Sequence, residues 1–485
     1  MSSTSTPLSS FGAQKSTSDH QRNAWNLLIA SLIINIGFAL IAIFIPLLAD
    51  EIHLRPSEIG VIISIFMVSR AIAAAQIPAI SDNIGRKAVL IVSLLIYSIS
   101  TVLLGFARDF STLFFLRIIE GAAAGAAFPT AEALLVDSVP QKDRGAWMGK
   151  YFTTFNLGFV IGPGMGGVLY IFGQEFLGLN SLEAFAFPFV ITGLLGLSSF
   201  IAVIFFVSDV LPTTRHDHSE TKNPKKPLSK EPTPFYASFL AIALINGFAI
   251  GLIIPVFALY VENSFSLDVA MIGFIFTISG GVSLLVNYPA GKLSDKVERM
   301  YIVFAGMVLG TFAFLGVGLA TSLLIVLLFF ILRFVAIQAY FPAYRAFQAD
   351  KIPPARRGEQ MGRIQSAFNA GAVVGPLIGA WIYEIFEAEA MRLPGGYEFY
   401  GGGVPFLVSA GVSFIQLAIA FYILKAERAR KGIQPKEIVR FPTVKEVLSS
   451  YCSACGTPGF LGSYETCEKC GAPINNSEAE SMALS

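Results

Sequence analysis

Six ionisable residues sit inside long apolar stretches of this chain: Arg70, Arg117, Glu120, Glu132, Arg333 and Arg345. In lipid, a charge near the bilayer centre costs at least a few kcal/mol, so each is a functional candidate by default. Proton transfer is the chemistry that such residues suit. Desolvation favours a neutral carboxylic acid, whereas a neighbouring guanidinium favours the carboxylate. Arg117 and Glu120 are three residues apart, so one helix face would bring them together. Glu120 or Glu132 could then carry a proton, and a fixed structural ion pair is the competing reading. A second chemistry stands near the end of the chain. Cys452-Ser-Ala-Cys455-Gly456 is followed, after an eleven-residue spacer counted from Gly456, by Cys467-Glu-Lys-Cys470-Gly471. Two Cys-x2-Cys knuckles present four thiolates, the donor set of a closed tetrahedral zinc site. The spacer is shorter than is usual between such pairs but suits a small zinc ribbon over 452–471. With no histidine or open ligand position beside it, the zinc is expected to be structural.

These residues need elements to hold them, and composition says which. Apolar residues make up 54% of the 485 and charged residues 14%, with a mean hydropathy of +0.65. Soluble domains carry roughly 25% charged residues. So few charges cannot cover a soluble protein of this length, and lipid is the solvent expected instead. A spanning helix takes about 20 mostly apolar residues. Twelve candidates are read at 24–49, 57–80, 87–107, 110–136, 146–173, 186–208, 235–261, 268–291, 300–319, 322–348, 361–385 and 403–425. Backbone groups in lipid must be satisfied within the segment, which makes these runs helices rather than strands. The net charge of +1 gives no hint of nucleic acid. The Ser- and Thr-rich start has no apolar run, so no cleavable signal peptide is expected.

Lys and Arg in short loops set orientation. One set of loops carries Arg86 and Lys87, Lys142 and Arg144, Lys222, Lys225, Lys226 and Lys230, Lys292, Lys296 and Arg299, and Lys351, Arg356 and Arg357. The other set carries only Arg55, Arg108 and Arg392 among acidic residues such as Asp50, Glu51, Glu262 and Asp268. Both termini are therefore expected in the cytoplasm. The organisation expected is a tail (1–23), a six-helix bundle (24–208), a polar linker (209–233), a second bundle (234–425) and a tail (426–485) with the ribbon. The bundles repeat: Asp82 and Asp295 stand 213 positions apart (295 − 82), and the same offset links Arg86 to Arg299, Pro129 to Pro342, Asp137 to Asp350, Asn156 to Asn369 and Pro163 to Pro376. Six helices per half give both halves the same orientation, a parallel repeat with substrate expected near the midplane between them. The offset also sets Glu132 opposite Arg345, which suggests a gate pair on the cytoplasmic side.

Two motifs carry a resemblance. Pro78-Ala-Ile-Ser-Asp82-Asn-Ile-Gly85-Arg86-Lys87 is similar to the loop signature of the major facilitator superfamily, with Pro78 in place of the leading Gly. Gly291-Lys-Leu-Ser-Asp295-Lys-Val-Glu298-Arg299 repeats it, with Glu298 in place of the second Gly. Gly158-Phe-Val-Ile-Gly162-Pro163-Gly164-Met-Gly166-Gly167 resembles the family's antiporter signature at every fixed position. Glycines four apart share a face that admits another backbone, and Pro163 can bend the helix there. Arg117 and Gly121 match the family's helix-4 signature. The resemblance covers about 24–425 and implies an all-α fold of two parallel six-helix repeats. It implies a cytoplasmic latch at Asp82, Gly85, Arg86, Lys87, Asp295 and Arg299, a glycine face packed against the other half, and drug/proton antiport. A cavity lined by Asn35, Phe155, Asn156, Asn246, Gln338, Tyr340, Phe368 and Asn369 is expected.

The function expected is proton-coupled export of small, amphipathic organic molecules by a monomer in the plasma membrane, with protons as coupling ion. Uptake of a sugar or organic acid is the alternative within transport. A non-transporting receptor signalling through the ribbon to a cytoplasmic protein is the alternative outside it. No nucleophile, metal cluster or phosphate loop stands in the apolar part, so enzymatic activity is not expected.

Overall fold

The computed structural model describes residues 17–140, 143–208, 235–294, 297–353 and 356–430. Twelve of its segments are long and apolar enough to cross a membrane. The first half runs α1 (Thr17–Glu51), α2 (Pro56–Ile84), α3 (Arg86–Leu104), α4 (Phe110–Ser138), α5 (Arg144–Glu175) and α6 (Ser181–Phe206). The second runs α7 (Tyr236–Ile253), α8 (Val256–Phe265), α9 (Val269–Ser294), α10 (Arg299–Gly318), α11 (Leu323–Lys351), α12 (Arg357–Phe386) and α13 (Val404–Arg430). We call the side holding the start of α1 and the end of α13 the terminal face.

Helix ends follow local chemistry. Asp109 caps α4, accepting from the Thr112 backbone N–H at 2.9 Å and its hydroxyl at 2.6 Å. Those Thr112 bonds hold the Asp109 carboxyl below the usual carboxylate range. Asn180 and Glu183 form a reciprocal capping box at the start of α6. Gly85 turns α2 into α3 at φ 101°, a backbone state closed to most side chains. Its register partner, Glu298, sits at φ −52°, so the second loop is built differently and needs no glycine.

Three features depart from the apolar pattern. The first helix begins at Thr17, inside the expected tail, and the last continues to Arg430. The seventh span is broken: α7 stops at Ile253 and α8 starts at Val256, with Pro255, which has no N–H, between them. A short antiparallel hairpin, β1 (Ala390–Arg392) with β2 (Glu398–Tyr400), stands between α12 and α13. Tyr397 in this hairpin donates its hydroxyl to Leu319 O at 2.8 Å, tying two loops of the face opposite the termini.

The halves meet along two crossings, α2 with α12 and α5 with α9, and again where α1 meets α8. Side chains joining them run along Ser57–Ser64 of α2 and Val160–Gly167 of α5, nearer the face opposite the termini. There one buried apolar cluster crosses the divide, with Phe44, Leu47 and Leu48 of α1 beside Phe257, Tyr260 and Val261 of α8. Among the described residues, no comparable seal joins the halves at the terminal face. Among the described residues the halves are thus sealed on one side only. Large apolar side chains on the outside, such as Phe115 (63% exposed) and Phe205 (75%), are those a lipid solvent would cover.

Candidate functional site

Arg117 and Glu120 do meet: Arg117 Nη1 donates to Glu120 Oε2 at 2.6 Å, and both side chains are almost wholly buried. Thr101 of α3 donates to Glu120 Oε1 at 3.4 Å, and the guanidinium lies over the Phe66 ring at 3.9 Å. Small residues allow this enclosure. A Cβ on Gly121 would come within 2.6 Å of Phe66 O, and one on Gly125 within 2.3 Å of Arg70 O, so α4 and α2 touch backbone to backbone. Both partners are taken out of solvent, where one without the other would be strongly unfavourable.

The other charges are held differently. Arg70 lies over Phe38 and Phe128, at 5.2 and 5.3 Å. Glu132 is half-buried, with no ion pair among the described residues. Arg345 donates to Gln365 Oε1 at 2.5 Å and lies over Phe341. Glu132 and Arg345 are not paired with each other in this structure. Arg333 is buried over the Phe314 ring at 4.4 Å.

The glycine signature is placed otherwise than the resemblance implies. Gly158, Gly162 and Gly166 face α1 of their own half, where added Cβ atoms would meet Asn35 at 2.5 Å, Ile36 O at 2.4 Å and Phe44 at 2.6 Å. It is the flanking Gly164 and Gly167 that face the second half, at Thr277 and Ala270. A helix with glycines on two faces can approach two neighbours at once. In α12 the register partners Gly371, Gly375 and Gly379 face α7 of their own half, as Gly158, Gly162 and Gly166 face α1.

Between the halves lies a feature that the motifs missed. Thr277 of α9 donates to Val160 O at 2.7 Å and accepts from Gly164 N at 2.8 Å. Ser64 of α2 donates to Val373 O at 2.8 Å. Ser64 and Thr277 are 213 apart, as are Val160 and Val373. The two bonds are therefore one bond made twice, each from the second span of one half to the fifth span of the other. Beside them Gly60 packs on Pro376 O and Gly273 on Pro163 O, again register partners. Nearer the face opposite the termini, Glu384 accepts from Ser57 N at 2.9 Å, capping α2 with a carboxylate from the other half. The register alone would have paired Ser64 with Thr277; nothing in it singles out Glu384.

At the terminal face, Arg86 pairs with Asp137 at 2.5 Å, and Arg299 with Asp350. These too are register partners, and each bridge stays within its own half. Lys87 donates to Ile204 O at 2.8 Å. Asp295 lies outside the described residues. Of the expected cavity residues, Asn35 is a correction: it is fully buried against α5, donating to Ser31 O at 2.8 Å. Phe155, Asn156, Asn246, Gln338 and Phe368 are part-buried, and Asn369 is exposed and accepts from Gln365. Tyr340 is buried in a small pocket with Arg333 and Asn246. Cys452, Cys455, Cys467 and Cys470 lie outside the described residues, so the ribbon over 452–471 has no structural support.

The Major Facilitator Superfamily model matches residues 27–244 and 239–461. The "Multidrug resistance protein MdtG" of Proteus mirabilis (strain HI4320) is 30% identical over 357 residues, 71% of this chain and 85% of that protein. "Multidrug resistance protein 2" of Bacillus subtilis (strain 168) is 24% identical over 407 residues, 83% of this chain and 97% of that one. A bacterial homologue of the human lysosomal transporter Spinster, solved inward-facing and occupied, shares the fold at a TM-score of 0.70 and 17% identity, covering 84% of this chain and 97% of the other.

Proposed function

Because the chain belongs to the Major Facilitator Superfamily, a family of transporters rather than enzymes, we propose that it exports small organic molecules by proton-coupled alternating access. The observation that carries this reading is the one-sided seal: among the described residues the halves are joined on one side only, as in a carrier at one end of its cycle. Export of drug-like compounds is supported by the multidrug-resistance relatives, which span nearly the whole fold. The Lys- and Arg-rich loops favour a cytoplasmic terminal face, and the membrane proposed is the plasma membrane, where export would act.

Glu132 is our proposed proton carrier. It is half-buried with no ion pair among the described residues, so it can change charge without stranding a partner. Glu120 is the second candidate, and its seal around Arg117 argues for a structural role. In the reverse arrangement Glu132 and Arg345 would close the terminal face as a gate pair. The four tail cysteines are proposed to hold structural zinc on their spacing alone, and metal analysis of the full chain with all four changed to Ser should show the zinc lost.

Everted vesicles with a panel of fluorescent drugs test the main reading. Accumulation should follow an imposed pH gradient and collapse when the gradient is dissipated. Undiminished pH-driven flux in both Glu120→Gln and Glu132→Gln would remove these residues from the coupling. Flux of a sugar or organic acid instead of drugs would favour the uptake carrier.

A further inference from the structure

Arg333 carries a charge that the protein itself does not answer. It is 6% exposed, and Nε has no hydrogen-bond partner. No carboxylate among the described residues forms an ion pair with it. A guanidinium does not lose its proton in proteins, so it cannot escape the cost of burial by becoming neutral. An uncompensated buried charge is strongly destabilising. The Phe314 ring offsets part of this cost, but a ring face has no net charge.

The register shows how the gap arises. Arg333 stands 213 positions after Glu120, and Phe330 stands 213 after Arg117. The first half thus supplies a buried anion together with its cation. The second half supplies a buried cation and fills the partner's position with a ring. Polar groups gather around that cation. Asn246 of α7 and Gln416 of α13 line one small pocket with Arg333, Thr311, Tyr340 and Ser413. Neither carboxamide makes a hydrogen bond among the described residues, so both have N–H groups to offer. Thr311 and Ser413 direct their hydroxyl protons to Met307 O and Ser409 O, and the Tyr340 oxygen accepts from the guanidinium, leaving the two carboxamides, the Tyr340 O–H and the remaining guanidinium N–H groups, Nε among them, as the open donors.

We propose that this pocket is a subsite for a monovalent anion, held by the Arg333 guanidinium and the side-chain amides of Asn246 and Gln416. The anion is either a free halide resident in the second half or the carboxylate of a transported molecule. A charge-assisted bond to arginine, with neutral amides completing the shell, suits both. The proposal rests on the transporter reading only for the second source.

The test uses the purified full-length protein in detergent, in a sulfate buffer free of chloride and of carboxylates and held at constant ionic strength. Chloride and acetate are titrated separately, and thermal unfolding is followed. A ligand that binds the folded state alone raises the melting temperature with concentration. A saturable rise is expected in the wild type, together with its loss in Arg333→Gln. Gln416→Leu keeps the guanidinium and should weaken the apparent affinity about tenfold, which covers the case in which Arg333→Gln does not fold. A rise with chloride identifies a resident halide, and a rise with acetate alone identifies a carboxylate subsite. No rise with either anion in the wild type, or an equal rise in the wild type and Gln416→Leu, overturns the proposal. The measurement needs no transport, so failure of drug flux would sink the export reading and leave this subsite standing.

Discussion

In the first half, Glu120 is answered by Arg117 and Thr101; in the second, the same positions hold Arg333, Phe330 and Phe314. The anion's position holds a cation, and its partner's position holds a ring. Where the halves touch, by contrast, the chemistry is copied: Ser64 and Thr277 make the same bond to Val373 and Val160. Contacts that hold two repeats together are constrained from both sides, and a change in one repeat alone breaks the match. Inside each repeat some contacts are copied too, such as the Arg86–Asp137 and Arg299–Asp350 bridges, but around the Glu120 position the halves have diverged. The difference teaches where to look for shared mechanics and where for separate chemistry.

Arg117→Leu should break the comparison hardest. It leaves Glu120 buried and alone, at a cost of about 3–5 kcal/mol. Arg117→Leu with Glu120→Leu should recover most of that in thermal unfolding. If the double variant were no more stable than the single, the bridge would not be the reason these residues are tolerated. Next come the register partners Gly162 and Gly375, each backed by neighbouring backbone. Alanine at either should overpack its contact by about 2 kcal/mol, and tolerance of one but not the other would undo the claim of equal packing. Smaller effects are expected at the interface. Thr277→Val and Ser64→Ala should each cost about 1 kcal/mol, Thr277 more because it makes two bonds across the divide; the reverse order would contradict the geometry. Smallest are the terminal-face bridges. Arg86→Gln should cost up to about 1 kcal/mol and Arg299→Gln less, since side-chain exposure is 18% and 21% in the first pair and 31% and 56% in the second. Raised salt should shrink both differences, and an unchanged gap would point away from electrostatics.

Much of this fold could be read beforehand, because lipid imposes long apolar runs that are hard to mistake. The Arg117–Glu120 pair was also visible, since three residues along a helix fix two side chains on one face. The faces of most helices were not. A helix in lipid is apolar on its protein side and on its lipid side alike, so the sequence carries little sign of which side is which. That is why Asn35 was expected in a cavity and lies against α5 instead, and why Gly158, Gly162 and Gly166 were assigned to the wrong neighbour. The hairpin at 390–400 was missed for another reason: its strands are three residues each, too short for an alternating pattern to register.

The interrupted seventh span gives the molecule a joint. α7 lies along α12 of its own half, while the ten-residue α8 beyond Pro255 meets α1 of the other. With no backbone N–H at Pro255, the two rods are uncoupled there. The ten residues of α8 take their own direction, so that Phe257, Tyr260 and Val261 reach the apolar cluster shared with α1 while α7 keeps its grip on α12.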